Sequence, residues 1–278
     1  MRKISAPAFF IASIVLVLTG CATPQQHLDI GSANGRDGGG AVPSYDALMR
    51  IGAAARGGGD LANALGVYRR AAQVDPLNPV PLVAAGDVLL EMGSVNEAIV
   101  SYNNALLLGG DNLPALLGLA RAFLKSGKPA LAIDPISKAY VLSPDDPKVV
   151  LLLGVTKDLS GEHGEAQAWY RRGLGLAPGD PSLTVNLALS LALSADYTGA
   201  IAVLQPIAMP PRGSAQERQT LALIYGLRGN VAEAARVGRM DLDDASVEHN
   251  LAYYATLREL SPEARSRALL SGGGAGSS

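Results

Sequence analysis

Histidine and acidic side chains are the residue types in this chain that could act in catalysis or bind a metal ion. The three histidines are His27, His163 and His249, and none lies one helical turn from a second metal-ligating residue. Glu162, His163 and Glu165 form a small polar cluster, which we interpret as a solvated helix end. No serine-hydrolase, zinc-protease or phosphate-loop motif occurs in the sequence. We therefore expect a protein without enzymatic activity, without a cofactor and without a metal site.

Cys21 is the only cysteine, so it has no partner in the chain for a disulfide. It ends the segment Leu18-Thr19-Gly20-Cys21, which follows an apolar run over residues 8–18. This arrangement resembles the lipobox of bacterial lipoproteins. The resemblance implies that residues 1–20 are a signal peptide and that Cys21 carries lipid. By the same resemblance, Ala22 directly after the lipidated cysteine implies an outer-membrane protein that faces the periplasm. An ordinary secretory signal followed by an incidental cysteine is the alternative.

The chain after Cys21 is mildly acidic. Removing residues 1–20 takes away Arg2 and Lys3 and no acidic residue, so the formal charge moves from −2 to −4. Residues 21–44 are polar and glycine-rich, which predicts a flexible linker. An acidic chain with no basic cluster predicts no nucleic-acid partner.

A pattern of small and large residues returns every 34 positions between residues 45 and 248. Counted from the first residue of each repeat, place 20 is always alanine, place 8 is glycine or alanine, and place 15 is glycine in every repeat but the fifth, which has Ala195. The six repeats cover residues 45–78, 79–112, 113–146, 147–180, 181–214 and 215–248. The pattern resembles the tetratricopeptide repeat, a helix–turn–helix unit of 34 residues. The resemblance implies an all-α superhelix, or α-solenoid, of six helix-turn-helix units over residues 45–260.

Each repeat contains two amphipathic stretches, helix A and helix B, joined at place 15. The small residues at places 8 and 20 predict that the two helices approach closely. Glycine at place 15 predicts left-handed backbone at the end of helix A. Residues 247–260 predict a capping helix, and residues 261–278 predict a short helix and a disordered tail.

The tetratricopeptide resemblance also implies a concave groove lined by helix A. Carried onto this chain, its groove positions are Val83, Asp87, Leu90, Leu117, Arg121, Leu124, Leu151, Val155, Val185, Leu189 and Leu223. This strip is apolar apart from Asp87 and Arg121, which we expect to form a charged pair. We interpret it as a site for an amphipathic helix or an extended segment of a protein partner. The alternative is that part of the strip is hydrophobic core.

Residues 234–257 resemble one particular group of tetratricopeptide proteins. The residues that carry it are Ala234-Ala235-Arg236, Asp241-Leu242, Val247, Asn250-Leu251-Ala252-Tyr253-Tyr254 and Leu257. They resemble the carboxy-terminal end of the TadD family, the tetratricopeptide lipoproteins of Tad/Flp (type IVb) pilus assembly. The family implies an outer-membrane scaffold, or pilotin, that binds a secretin or another pilus component and no small-molecule substrate. A tetratricopeptide lipoprotein that regulates cell-wall enzymes or outer-membrane protein assembly is the alternative.

Overall fold

The structure, a computed structural model, describes residues 43–211 and 213–270. The predicted signal peptide, Cys21 and the tail over residues 271–278 lie outside the described residues, as does almost all of the predicted linker. All regular structure in the described part is α-helical, so the predicted all-α fold class is confirmed. The helices are α1 (Tyr45–Gly57), α2 (Leu61–Val74), α3 (Val80–Glu91), α4 (Val95–Leu108), α5 (Leu113–Lys125), α6 (Pro129–Leu142), α7 (Pro147–Leu159), α8 (His163–Leu176), α9 (Pro181–Leu193), α10 (Tyr197–Ala208), α11 (Ala215–Arg228), α12 (Val231–Gly238), α13 (Asp244–Glu259) and α14 (Pro262–Leu270). None of these helices is long and apolar enough to cross a lipid bilayer.

The helices belong to two compact units. The first unit contains α1 to α6 and ends at Pro144, and the second unit begins at Asp145 and contains α7 to α14. Within each unit every A helix packs against its own B helix, and every B helix packs against the next A helix. In the second unit α13 packs against α11 and α12, and α14 packs against α9 and α13. Within each unit the repeats therefore bury their apolar faces against one another, as repeat proteins require.

The turn between helix A and helix B has the predicted left-handed backbone in all six repeats. Place 15 has φ angles of 81°, 80°, 69°, 81° and 90° at its five glycines, Gly59, Gly93, Gly127, Gly161 and Gly229. In the fifth repeat Ala195 has the same conformation, with φ 63°. An alanine is strained there because its Cβ approaches the following carbonyl oxygen.

Glycine at place 8 leaves room for a tyrosine ring at place 24. A Cβ built on Gly52 would lie 2.6 Å from Tyr68, and one built on Gly154 would lie 2.3 Å from Tyr170. The second repeat has the same pair in Gly86 and Tyr102. The repeats with alanine at place 8 have Ile136, Leu204 or Gly238 at place 24 instead. In the three repeats with tyrosine at place 24, the absence of a Cβ at place 8 is thus matched to the size of the tyrosine ring.

Two departures from the repeat pattern have a packing reason. Gly173 stands where the first three repeats have alanine, and a Cβ there would lie 2.6 Å from the buried side chain of Leu183. Gly238 breaks the run of large residues at place 24, and Val247 of α13 packs over it. The capping helix predicted over residues 247–260 is present and begins three residues earlier, at Asp244. The second unit is therefore closed at its carboxy-terminal end by helix packing.

Candidate protein-binding surface

The A helices of the first unit carry a partly open surface, which we call the A-helix face. Val83 and Leu117 occupy place 5 of α3 and α5, and both side chains are only half-buried. Asp87 and Arg121 occupy place 9 of the same helices and are also half-buried. Places 5 and 9 lie one helical turn apart, so apolar and charged side chains alternate along this face.

Asp87 is the centre of this face. Its Oδ1 accepts hydrogen bonds from the Tyr102 hydroxyl at 2.7 Å and from Arg121 Nη2 at 2.7 Å. Its Oδ2 lies 3.6 Å from Nη1 of Arg56, which belongs to α1. The charged pair predicted between Asp87 and Arg121 is therefore confirmed, and the structure adds a tyrosine and a second arginine. The Asp87 side chain remains 21 % exposed, so the cluster faces solvent.

The sequence interpretation missed three charged residues of the A-helix face, Arg56, Glu91 and Lys125. Arg56 Nε donates to Glu91 Oε1 at 2.9 Å, which ties α1 to α3. Lys125 Nζ donates to the carbonyl oxygen of Leu90 at 2.7 Å, which ties α5 to α3. Arg56 stands at place 12 and Glu91 at place 13 of the next repeat, so a search for opposite charges about one repeat apart would have found them. Each A helix of this unit is thus linked to the next by charged hydrogen bonds.

Tyr102 supports this cluster from the interior. Its side chain is fully buried, and only its hydroxyl reaches Asp87. Burial raises the pKa of Tyr102, and the nearby Asp87 carboxylate raises it further. The tyrosine consequently stays a hydrogen-bond donor and fixes the orientation of the carboxylate at the surface.

Two predicted groove residues of the first unit are core instead. Leu90 and Leu124 are buried, at 7 % and 5 % exposure. Leu90 belongs to the hydrophobic cluster that also contains Tyr68, Leu89 and Tyr102. Place 12 of these helices turns toward the neighbouring helix, and its apolar residues consequently pack inside the unit.

The groove predicted across the second unit requires the same correction. All five of its residues are buried: Leu151, Val155, Val185, Leu189 and Leu223. Every residue of α9 from Leu183 to Leu193 is buried, because α9 is packed between neighbouring repeats and also against α14. These aliphatic residues are core of the second unit rather than a free strip, which was the alternative that the sequence left open.

A second aspartate, Asp158 of α7, organises the interior of the second unit. Its Oδ2 accepts from the hydroxyl of the fully buried Tyr170 at 2.8 Å, and its Oδ1 accepts from Ser190 Oγ at 2.7 Å. The same Oδ1 lies 2.8 Å from His163 Nδ1. Burial raises the pKa of Tyr170 well above its ordinary value, and Asp158 adds to that rise. The Asp158 side chain is 1 % exposed, so its hydrogen bonds are shielded from water.

His163 links this network to α14. A carboxylate only accepts hydrogen bonds, so His163 donates from Nδ1 to Asp158, and its other ring nitrogen, Nε2, faces α14. Ser266 of α14 places its Oγ 3.5 Å from that Nε2. The solvated helix end predicted for the Glu162, His163 and Glu165 cluster is correct for the two glutamates, which pair with Lys157 and are exposed, and wrong for His163.

The residues Ser266, His163 and Asp158 follow the order of a nucleophile, a base and an orienting acid. Their arrangement differs from a catalytic one in geometry. Ser266 is buried in the middle of a helix, and its Oγ lies at the outer limit of hydrogen-bond distance from His163. We therefore interpret these contacts as the attachment of α14 to the second unit.

Comparison with known proteins identifies the repeat. Residues 46–77 and 83–147 match family models for the tetratricopeptide repeat. The chain is 28% identical over 123 residues to the CTR9 homolog of Arabidopsis thaliana, across 44% of this chain and 11% of that protein. It is 29% identical over 154 residues to cellulose synthase 1 operon protein C of Komagataeibacter xylinus, across 54% of this chain and 12% of that protein. The matched stretch thus spans about a tenth of the length of these curated relatives.

Solved structures agree with the family models. A tetratricopeptide repeat protein from Parabacteroides merdae superposes with a TM-score of 0.64 at 17% identity, covering 76% of this chain and 84% of that one. PilF of Pseudomonas aeruginosa superposes with a TM-score of 0.60 at 19% identity, covering 75% of this chain and 97% of that one. At these identities the likeness shows the fold. The chain has the tetratricopeptide-repeat fold, and residues 46–77 and 83–147 match the family models of that repeat.

Proposed function

We propose that this protein is a non-enzymatic scaffold that binds a protein partner through the A-helix face of its first unit. The observation that carries the proposal is the Asp87 cluster, a set of preformed ion pairs on a half-open surface beside Val83 and Leu117. Partner sites commonly combine apolar anchors with arginine at their centre. The A-helix face offers both, held in place by the buried Tyr102.

The chemistry of this face favours an amphipathic partner segment. Val83 and Leu117 offer apolar contact, and the alternating charges of Arg56, Asp87, Glu91 and Arg121 offer donors and acceptors in fixed positions. A helix or an extended strand with apolar residues on one side and polar residues beside them satisfies both. The existing ion pairs hold their side chains in place before the partner binds, so less conformational entropy is lost on binding.

We propose that Cys21 anchors the protein to the outer membrane by lipid and that the protein acts as a pilotin in Tad/Flp pilus assembly. The lipobox and the TadD-like closing segment are the sequence features that support this. An anchored scaffold and an outer-membrane secretin share one surface, which raises the effective concentration of each for the other.

Two acidic substitutions in the A-helix face test the binding site. Val83→Asp with Leu117→Asp, in the full chain and in its native host, should reduce the co-purified partner at least tenfold, since both changes place unpaired carboxylates in the apolar part of the face. Leu107→Asp is the matched control, because Leu107 is 84 % exposed on a B helix. The double variant must retain the wild-type thermal melt. Capture of the partner at wild-type levels by that folded variant would refute the proposed site.

The identity of the partner tests the pathway. Mass spectrometry of the wild-type complex should find a secretin or another pilus component. A peptidoglycan synthase or hydrolase in its place would contradict the pilus assignment and leave the binding face standing. The anchor is tested by Cys21→Ser, which should leave the helical fold unchanged while the secretin fails to reach the outer membrane. Normal secretin assembly with an unlipidated chain would rule the anchor out.

A further inference from the structure

The last described helix, α14, rests on an edge of the second unit that differs from the corresponding edge of the other repeats. The edge is formed by place 17, the first residue of each B helix. That place is His163 in the fourth repeat and Tyr197 in the fifth. The other repeats have apolar residues there, Leu61, Val95, Pro129 and Val231. Two polar side chains one repeat apart thus stand at successive helix beginnings only where α14 lies.

α14 contacts both polar residues with consecutive side chains. Arg265 Nη1 donates to the Tyr197 hydroxyl oxygen at 3.0 Å, and Ser266 Oγ lies 3.5 Å from His163 Nε2. One turn further along α14, Leu269 is buried, at 5 % exposure. The pattern that binds the edge is therefore an arginine, a small hydroxyl residue next to it, and a leucine four positions after the arginine.

The end of α13 completes this receptor. Arg265 donates from Nε to the carbonyl oxygen of Leu257 at 2.9 Å and from Nη2 to those of Arg258 and Leu260 at 3.0 and 3.2 Å. The last carbonyls of a helix lack intrahelical partners and carry partial negative charge, so they attract a guanidinium group. Any helix that brings an arginine to this point gains the same contacts.

α14 is short, so it depends on the edge for its helical structure. It has nine residues, a length at which an isolated helix is marginal in water. Ser266 and Leu269 are its buried residues, whereas Glu263 and Arg267 are exposed. It is also the last helix of the described chain, so it can leave the edge without unthreading any other described element.

We propose that this edge is a helix-binding site for a protein partner and that α14 is its resident, displaceable occupant. The partner is a short amphipathic helix with an arginine, a small residue beside it and a leucine four positions after the arginine. The site deepens the proposed scaffold role by adding a second contact, on residues separate from the A-helix face of the first unit. A partner that binds here competes with α14, so the affinity of α14 for the edge sets the affinity that a partner needs in order to displace it.

A peptide with the sequence of residues 261–270 tests the site in trans. The peptide carries a fluorophore, and its anisotropy is measured with the full wild-type chain and with a full chain carrying Arg265→Glu and Leu269→Asp, which releases α14. We expect at least tenfold tighter binding to the released chain. Adding His163→Ala and Tyr197→Phe to the released chain should lower the affinity at least tenfold again. Arg267→Glu is the matched control on α14 and should bind the peptide as weakly as wild type.

Equal affinity of the peptide for the wild-type and released chains would overturn the proposal, as would no binding to a released chain that melts like wild type. Hydrogen exchange provides the second measurement in case the double variant does not fold. Excess peptide should speed amide exchange in α14 of the wild-type chain, and unchanged exchange would also overturn the proposal. Loss of partner capture by Val83→Asp with Leu117→Asp is independent of these results, so the two proposals can fail separately.

Discussion

Both units contain the same tyrosine–aspartate hydrogen bond, which lies at the surface in the first unit and in the interior in the second. In the first unit Tyr102 donates to Asp87, whose side chain is 21 % exposed and paired with arginines of neighbouring repeats. In the second unit Tyr170 donates to Asp158, whose side chain is 1 % exposed and bonded to Ser190 and His163. The aspartate stands at place 9 in the open surface of the first unit and at place 12 in the closed interior network of the second. The packing of the neighbouring helices, more than the repeat pattern, therefore decides whether the tyrosine–aspartate contact reaches solvent.

Removal of the two aspartates, one at a time, should show the largest difference between the units in the free energy of unfolding. Asp158→Ala leaves the hydroxyl of Tyr170 and the ring of His163 without their buried acceptor, and we expect a loss of about 3–5 kcal/mol in the free energy of unfolding. Asp87→Ala should cost about 1–2 kcal/mol, because water can reach the groups left behind. Urea unfolding followed by circular dichroism measures both. Equal losses would mean that the two networks contribute alike and that the contrast in burial has no energetic consequence.

The close contact between glycine at place 8 and tyrosine at place 24 predicts that changes at these two places have non-additive effects on the free energy of unfolding, smaller than the losses above. Gly52→Ala should cost about 1–3 kcal/mol, because the new Cβ would meet the Tyr68 ring at 2.6 Å. The double variant Gly52→Ala with Tyr68→Leu recreates the Ala188 and Leu204 pair of the fifth repeat. It should therefore be more stable than the sum of the two single changes by at least about 0.5 kcal/mol. A double-mutant cycle by thermal unfolding measures this term, and strict additivity would argue against matched packing.

Acid should weaken one ion pair of the second unit. Arg218 Nε donates to Asp241 Oδ2 at 2.8 Å, and this hydrogen bond lowers the pKa of Asp241. A lowered folded-state pKa means that the stabilisation is present above the ordinary aspartate pKa of about 3.9 and is lost as the pH falls through the lowered value. Asp241→Asn should remove that part of the acid dependence, as measured by stability between pH 2 and pH 6. An unchanged acid profile in the variant would show that the pair does not contribute.

The smallest expected effect concerns the turn residue of the fifth repeat. Ala195 has φ 63°, so Ala195→Gly should relieve strain and raise the free energy of unfolding by about 0.5 kcal/mol after the entropic cost of glycine. Gly161→Ala, with φ 81° in the fourth repeat, should lower it by about 1 kcal/mol. Thermal melts of the two variants, shifted in opposite directions, check this prediction. A shift in the same direction would indicate that the two turns differ in more than residue type.

The repeat made the helices predictable, because place 15 marks each turn and the small residues mark each helix contact. The charged pair of Asp87 and Arg121 was also predictable, because equal places in successive repeats are neighbours on adjacent A helices. The sequence did not reveal which apolar positions were covered. Leu189 and Leu223 have the same place in the repeat as the half-buried Asp87 and Arg121, and they are buried because helices of the same unit pack over them. The polar place 17 of two repeats was visible in the sequence as an exception, but it gained meaning only once α14 was seen to rest on it.

The most direct test is a photo-crosslinking amino acid at position 117, in the A-helix face, compared with the same residue at the exposed position 107. Cells that assemble the native complex would be irradiated and the crosslinked protein identified by mass spectrometry. We predict a single dominant partner crosslinked from position 117, a secretin or another pilus component, and little from position 107. Crosslinks that form from position 107 and not from position 117 would contradict the claim that the open face of the first unit holds the partner.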